Sequence, residues 1–108
     1  MLLPYGKFLS RVPMAIAIVA SESESDLWLV DGSIAAQNLM LAAESFDLGT
    51  CWIAECDKEE IKRILELPEE FHIITITPLG YPAVKPNAPK RKDLKEVLFL
   101  EKFGKGYL

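Results

Sequence analysis

The side chains best suited to chemistry in this chain are few and scattered. Cys51 and Cys56 form a thiol pair with four residues between them, His72 is the one imidazole, and Lys90-Arg91-Lys92 is a run of three cations in a Pro-rich loop. Two thiols and one histidine are too few ligands for a structural zinc, so no metal site is expected. They do not make a disulfide framework either, and Cys51 reads as a small apolar packing residue. His72 falls within a strand-like run and reads as structural. No serine, histidine and acid stand in a triad-like arrangement and no pair of carboxylates suggests acid–base work, so no catalytic side chain is nominated. The three cations have two readings. They are a solvated loop, or they grip an anion, with the Arg91 guanidinium forking onto oxygens and Lys90 adding a point charge.

Charge is divided along the chain. Residues 82–108 carry seven Lys/Arg and three Asp/Glu, a local +4, which leaves −8 on the remainder of a chain with a net charge of −4. A basic tail on an acidic body suits an anionic ligand or an acidic partner surface, and the overall acidity argues against general nucleic-acid binding. At 108 residues and 50% hydrophobic content the chain fits a single domain, 1–108, with a core modest enough to leave room for a partner. Lys7 and Arg11 precede the apolar run 12–20, which has the outline of a signal-peptide core. It is too short to cross a membrane, contains Pro13, and reads as a buried strand, so no membrane segment is expected and the protein is placed in the cytoplasm.

The elements that must position these residues follow from periodicity. Residues 12–20 form a first strand. Asp31 or Ser33 caps a helix over 34–46 that is apolar almost all round and expects burial on most sides. Gly49 sits where a left-handed helix stop is cheap only for glycine. A second strand spans 50–54. Asp57 begins a short amphipathic helix whose apolar stripe is Ile61, Ile64 and Leu65, and Leu67-Pro68 ends it. A third strand covers 71–79, and residues 94–103 are a last short helix or an extended arm. Trp28 and Tyr81 read as packing residues, Trp52 as a core or interface residue with flavin stacking the minority reading, and Gln37 and Asn38 as amides that bond across a dimer seam. The tail residues Leu94, Val97–Leu100, Phe103, Tyr107 and Leu108 must pack on this body or a neighbour.

Taken in order, "DGSIAAQNLMLAAESFDLGTCWI", "IKRILELPEEFHIITITPLGYP" and "PKRKDLKEV" resemble the FMN-dependent nitroreductase family from about residue 12 to residue 97. The resemblance implies an α+β fold, a small mixed and largely antiparallel sheet with packed helices, and a homodimer with the long helix at its centre. It implies FMN as cofactor, with Ile53, Ala54 and Glu55 lining the ring through backbone groups and Lys90 and Arg91 at the phosphate. A flavin carries the hydride itself, which fits the lack of a catalytic constellation. The implied activity takes electrons from NAD(P)H to a small-molecule acceptor such as a nitroaromatic or quinone.

The family's Arg-rich N-terminal motif and its Pro-Ser-x-x-Asn segment have no counterpart here, and the chain begins near the family's midpoint. Gly-Leu-Gly is Asp47-Leu48-Gly49, and the Gly-Gly after Trp-Ile is Ala54-Glu55. The expectation is a truncated, weakly active member. The alternative is a non-catalytic dimeric remnant or scaffold that binds little or no flavin.

Overall fold

The structure, a computed structural model, describes residues 9–106; Lys7, Tyr107 and Leu108 lie outside them. Its elements in chain order are strand β1 (Met14–Ser21), helix α1 (Trp28–Ser45), helix α2 (Lys58–Ile64), strand β2 (Phe71–Leu79) and the single-turn helix α3 (Leu94–Val97). The expected α+β class and antiparallel sheet are both present.

β1 and β2 pair antiparallel, from Met14 opposite Leu79 to Ser21 opposite Phe71, with a register shift between Ile18 and Val19. Ile18 faces Thr75 and Val19 faces Ile73, so Ile74 is an extra residue in β2. An inserted residue breaks the two-residue alternation of side chains. Ile73, Ile74 and Thr75 are accordingly all buried in succession. Ile18, Ala36 and Ile74 form the core cluster, with Ile16, Ala20, Trp28 and Leu39 packed around it.

Among the described residues the sheet has two strands, not the three expected. Residues 50–54 run beside β2 without becoming a strand; Ile53 forms an isolated bridge to Ile76, and just outside both stretches Gly49 bridges Gly80.

Helix α1 starts six residues earlier than the apolar pattern indicated. Its first turn follows Leu27, which gives no side-chain cap. Asp31 and Ser33 lie inside the helix, and Ser33 Oγ donates back to the Leu29 carbonyl at 2.6 Å, the bond an interior serine makes. The residues that α1 buries are small: Gly32, Ala36 and Ala43. They bring the helix axis close to the sheet. Leu29, Val30, Ile34, Leu41 and Phe46 stay exposed, so this chain covers only one side of a helix expected to be buried on most.

The left-handed residue after α1 is Asp47 (φ 58°), not Gly49. Leu48 N–H donates to the Ala43 carbonyl and Asp47 N–H to that of Glu44, both at 3.0 Å. This pair of bonds is the Schellman ending, with an aspartate where glycine is usual. Gly49 is small for another reason: a Cβ there would lie 3.2 Å from Pro82 Cβ and 3.5 Å from the Gly80 carbonyl oxygen. α2 ends in the same way, with Glu66 at φ 54° and Leu67 N–H donating to the Lys62 carbonyl at 3.0 Å. The start of α2 is as expected, since the Asp57 side chain accepts from Glu60 N–H at 3.0 Å. Of the α2 stripe only Ile61 is buried; Ile64 and Leu65 are exposed.

Candidate flavin site

Thr75 and Thr77 lie two residues apart in β2 and are both completely buried. An unpaired hydroxyl in that position would cost about 1–3 kcal/mol, so each must find partners. They find them on the backbone of the 50–54 segment. Ile53 N–H donates to Thr75 Oγ1 at 3.2 Å, and Thr75 Oγ1 donates to the Ile53 carbonyl at 3.0 Å. Cys51 N–H donates to Thr77 Oγ1 at 3.0 Å, while that hydroxyl donates to the Pro78 carbonyl at 3.0 Å. Side chains thus supply much of the attachment that a regular ladder would give a strand.

This arrangement decides what Ile53 offers. Its side chain is 4% exposed and both of its backbone polar groups are engaged by Thr75. Within this chain neither backbone group of Ile53 is left free for a flavin ring. What remains for it is a buried, fixed wall, and the outward-facing residues are Ala54 and Glu55, both exposed. Tyr81 is 85% exposed and does not pack on this chain as anticipated, while Trp52, at 43% exposed, lies outside the core of this chain. Trp28 does pack, stacking on the His72 ring with centroids 4.2 Å apart. His72 Nε2 also lies 3.0 Å from Glu22 Oε2, which supports its structural reading.

The basic loop after β2 is exposed throughout. Lys90, Arg91, Lys92 and Glu96 line an open depression of about 220 Å³ that includes none of Ile53, Ala54 and Glu55. Arg91 Nη1 donates to the Pro89 carbonyl at 3.1 Å, which curls the loop around its own guanidinium. Asp93 then begins α3 with a capping box, Asp93 N–H donating to Glu96 Oε2 at 2.8 Å. That bond holds the Glu96 carboxylate against the backbone, at the rim of the cationic depression.

The sequence reading missed Thr75 and Thr77. A signal was present: threonines at alternate positions of an aliphatic strand, in the phase that faces inward. Cys56 is half-buried, and burial pushes its thiol pKa upward from 9.0, whereas Cys51 is exposed. Among the described residues no group of three or more His, Cys, Asp and Glu could hold a metal, and no helix is long and apolar enough to cross a membrane.

FMN asks a protein for two things, a cationic grip for its phosphate and a rigid edge for its ring. The residues present fit each demand separately: three clustered cations on the loop, and a small residue, Ala54, directly after a fixed and buried Ile53.

The sequence matches the Nitroreductase family over residues 1–81. A "Putative NADH dehydrogenase/NAD(P)H nitroreductase" of Methanothermobacter thermautotrophicus is 38% identical over 90 residues, covering 77% of this chain and 47% of that protein. A crystal structure bearing the same designation, from Bacteroides thetaiotaomicron, superposes with a TM-score of 0.82 at 35% identity, covering 93% of this chain and 62% of that one. An FMN-dependent nitroreductase of Clostridium difficile gives a TM-score of 0.78 at 30% identity, covering 90% and 62%. The chain thus spans about half the length of the curated relative and less than two thirds of the solved ones.

Proposed function

The chain belongs to the nitroreductase family, and we propose that it works as a single-domain, FMN-dependent oxidoreductase that takes electrons from NAD(P)H to a small acceptor such as a nitroaromatic or quinone. The observation that carries this reading is the hydroxyl-tethered segment beside β2, which ends in the exposed pair Ala54 and Glu55. The names of the relatives supply the redox partners: NAD(P)H for the Methanothermobacter protein and FMN for the Clostridium one.

In this reading Arg91 and Lys90 hold the phosphate, the guanidinium by paired hydrogen bonds and the ammonium by charge. Ala54 and Glu55 border the ring, and buried Ile53 keeps water from the wall behind them. Glu55 turns its carboxylate outward, because like charge beside an anionic group is unfavourable. FMN, when bound, supplies the hydride chemistry itself. The exposed apolar side of α1 meets a second copy, and the homodimer operates in the cytoplasm, where reduced nicotinamide is available.

A second reading is a scaffold that binds little or no flavin. It is favoured by one observation, that Thr75 already engages both backbone groups of Ile53 and so removes them from the set available to a ring.

Titrating FMN fluorescence with protein at low and high salt separates the two. The oxidoreductase reading expects saturable quenching that weakens with salt, and a further loss of about 10²- to 10⁴-fold in affinity for Arg91→Ala, the equivalent of two charge-assisted hydrogen bonds. Affinity unchanged by Arg91→Ala places the phosphate elsewhere. No quenching at high micromolar protein leaves the scaffold.

A further inference from the structure

Thr75 makes an unusual double contact. One hydroxyl oxygen both accepts from the N–H and donates to the carbonyl of the same residue, Ile53. A hydrogen-bonded pair in an antiparallel ladder fixes both backbone groups of a residue to one neighbour, and here a single side-chain hydroxyl does the same to Ile53. A hydroxyl bonded to both backbone groups of one residue holds that residue at two points, so it resists sliding along the segment as well as separation from β2. Thr75 itself cannot move, being buried at 0% exposure within a strand paired to Ile18. Thr77 repeats half of the device two residues away, accepting from Cys51 N–H and donating to the Pro78 carbonyl. The bridge from Ile53 to Ile76 marks the same point of closest approach. Immediately beyond it the chain turns outward as Ala54 and Glu55, which are exposed.

We propose that Thr75 is a positioning residue, whose hydroxyl, locked onto both backbone groups of Ile53, sets where Ala54 and Glu55 leave β2 and therefore the edge they present to a planar ligand. The clamp itself is independent of any ligand; its consequence for FMN rests on the function proposed above. Serine at position 75 keeps the hydroxyl and loses only a methyl group. Valine keeps the shape and loses both hydrogen bonds, leaving two buried backbone groups without partners.

Two measurements on the full chain test this separately. The first is amide hydrogen exchange resolved at Ile53, which needs no ligand. In the wild-type protein the Ile53 amide should be protected although it lies outside any strand. In Thr75→Val its exchange should accelerate by about 10- to 100-fold relative to β2 amides, and in Thr75→Ser it should return to within about threefold of wild type. An unprotected Ile53 amide in the wild-type protein overturns the clamp even if the valine variant does not fold, and so does a valine variant that exchanges like wild type.

The second is the FMN titration. Thr75→Val should weaken FMN by about tenfold and alter the bound-flavin visible absorption, with both restored by Thr75→Ser. Wild-type flavin binding that Thr75→Val leaves intact overturns the consequence for the ligand edge. Absence of flavin binding by the wild type overturns the proposed function and that consequence together, while Ile53 exchange still decides the clamp.

Discussion

Gly32 lies in the fifth position of α1, where glycine is a poor choice on helical propensity alone. Replacing it with alanine in a helix interior gains about 0.5–1 kcal/mol if nothing else changes. Here something else must change. A Cβ at Gly32 would press on Ile74 Cγ1 and lie 2.8 Å from Ile74 Cδ1, with Ala20 Cβ at 3.5 Å. Cγ1 is one bond from the Ile74 Cβ, so it yields only by a χ1 rotation that branching at Cβ resists. Ile74 is 3% exposed and belongs to the core cluster with Ile18 and Ala36, so the space to rotate into is filled. Overpacking of this kind costs about 1–3 kcal/mol.

The overlap outweighs the propensity gain, and Gly32→Ala is expected to destabilise by about 1–2 kcal/mol. For a domain of this size that is a fall in Tm of about 4–15 °C. The assay is thermal unfolding followed by far-UV circular dichroism, at fixed protein concentration because self-association would shift Tm. The decisive control is a double-mutant cycle. Ile74→Ala alone should cost about 2–5 kcal/mol, but in that background Gly32→Ala should become neutral or stabilising. A higher Tm for Gly32→Ala alone, or additive losses in the double mutant, would refute the close approach of α1 to β2.

Three further outcomes are expected. Asp47→Val should destabilise by about 1–2 kcal/mol and Asp47→Gly should be neutral to mildly stabilising, read by urea unfolding, because only a residue tolerant of positive φ suits the Schellman position. Iodoacetamide at pH 8 followed by peptide mapping should alkylate exposed Cys51 before half-buried Cys56; burial pushes the Cys56 pKa upward, which keeps its thiol protonated, so its labelling should climb as the pH is raised. Ala42→Glu should shift size-exclusion light scattering from dimer to monomer at low micromolar protein, since Ala42 is exposed on α1 here and would bury an unpaired charge at a helix–helix seam. A monomer already present in the wild-type protein sinks that last expectation.

How legible each element was depended on where its defining contacts lie. β2 was read at its true bounds, 71–79, because branched residues and a flanking Gly-Tyr-Pro turn are local signals. α2 was read from Asp57, whose cap is a bond three residues long. The start of α1 was misread because Leu27 carries no cap and because Asp31 and Ser33 imitate one. A serine has two local options, capping a helix or bonding back within it, and sequence does not choose between them. Sequence points to Gly49 as the helix stop because an acid at the left-handed position, as at Asp47, is less common than glycine.

The remaining misreadings share one cause, the close approach of two backbones. Gly32 lets α1 down onto Ile74, and Gly49 admits Pro82 and Gly80. Thr75 and Thr77 reach the backbone of residues 51–53 because that segment lies against β2 at the distance of a side-chain hydroxyl. In each case a small or β-branched polar residue stands where periodicity alone would accept any apolar one. The residue is chosen by a partner more than 20 positions away, as Thr75 is by Ile53. Hydrophobic pattern reports which face of an element is buried; it does not report how near the next backbone comes. The candidate site is built almost wholly from the second kind of information. The basic loop at Lys90 and Arg91 could be picked out by charge, whereas Thr75, which fixes Ile53 and so the edge that follows it, looks in sequence like one more residue of a strand.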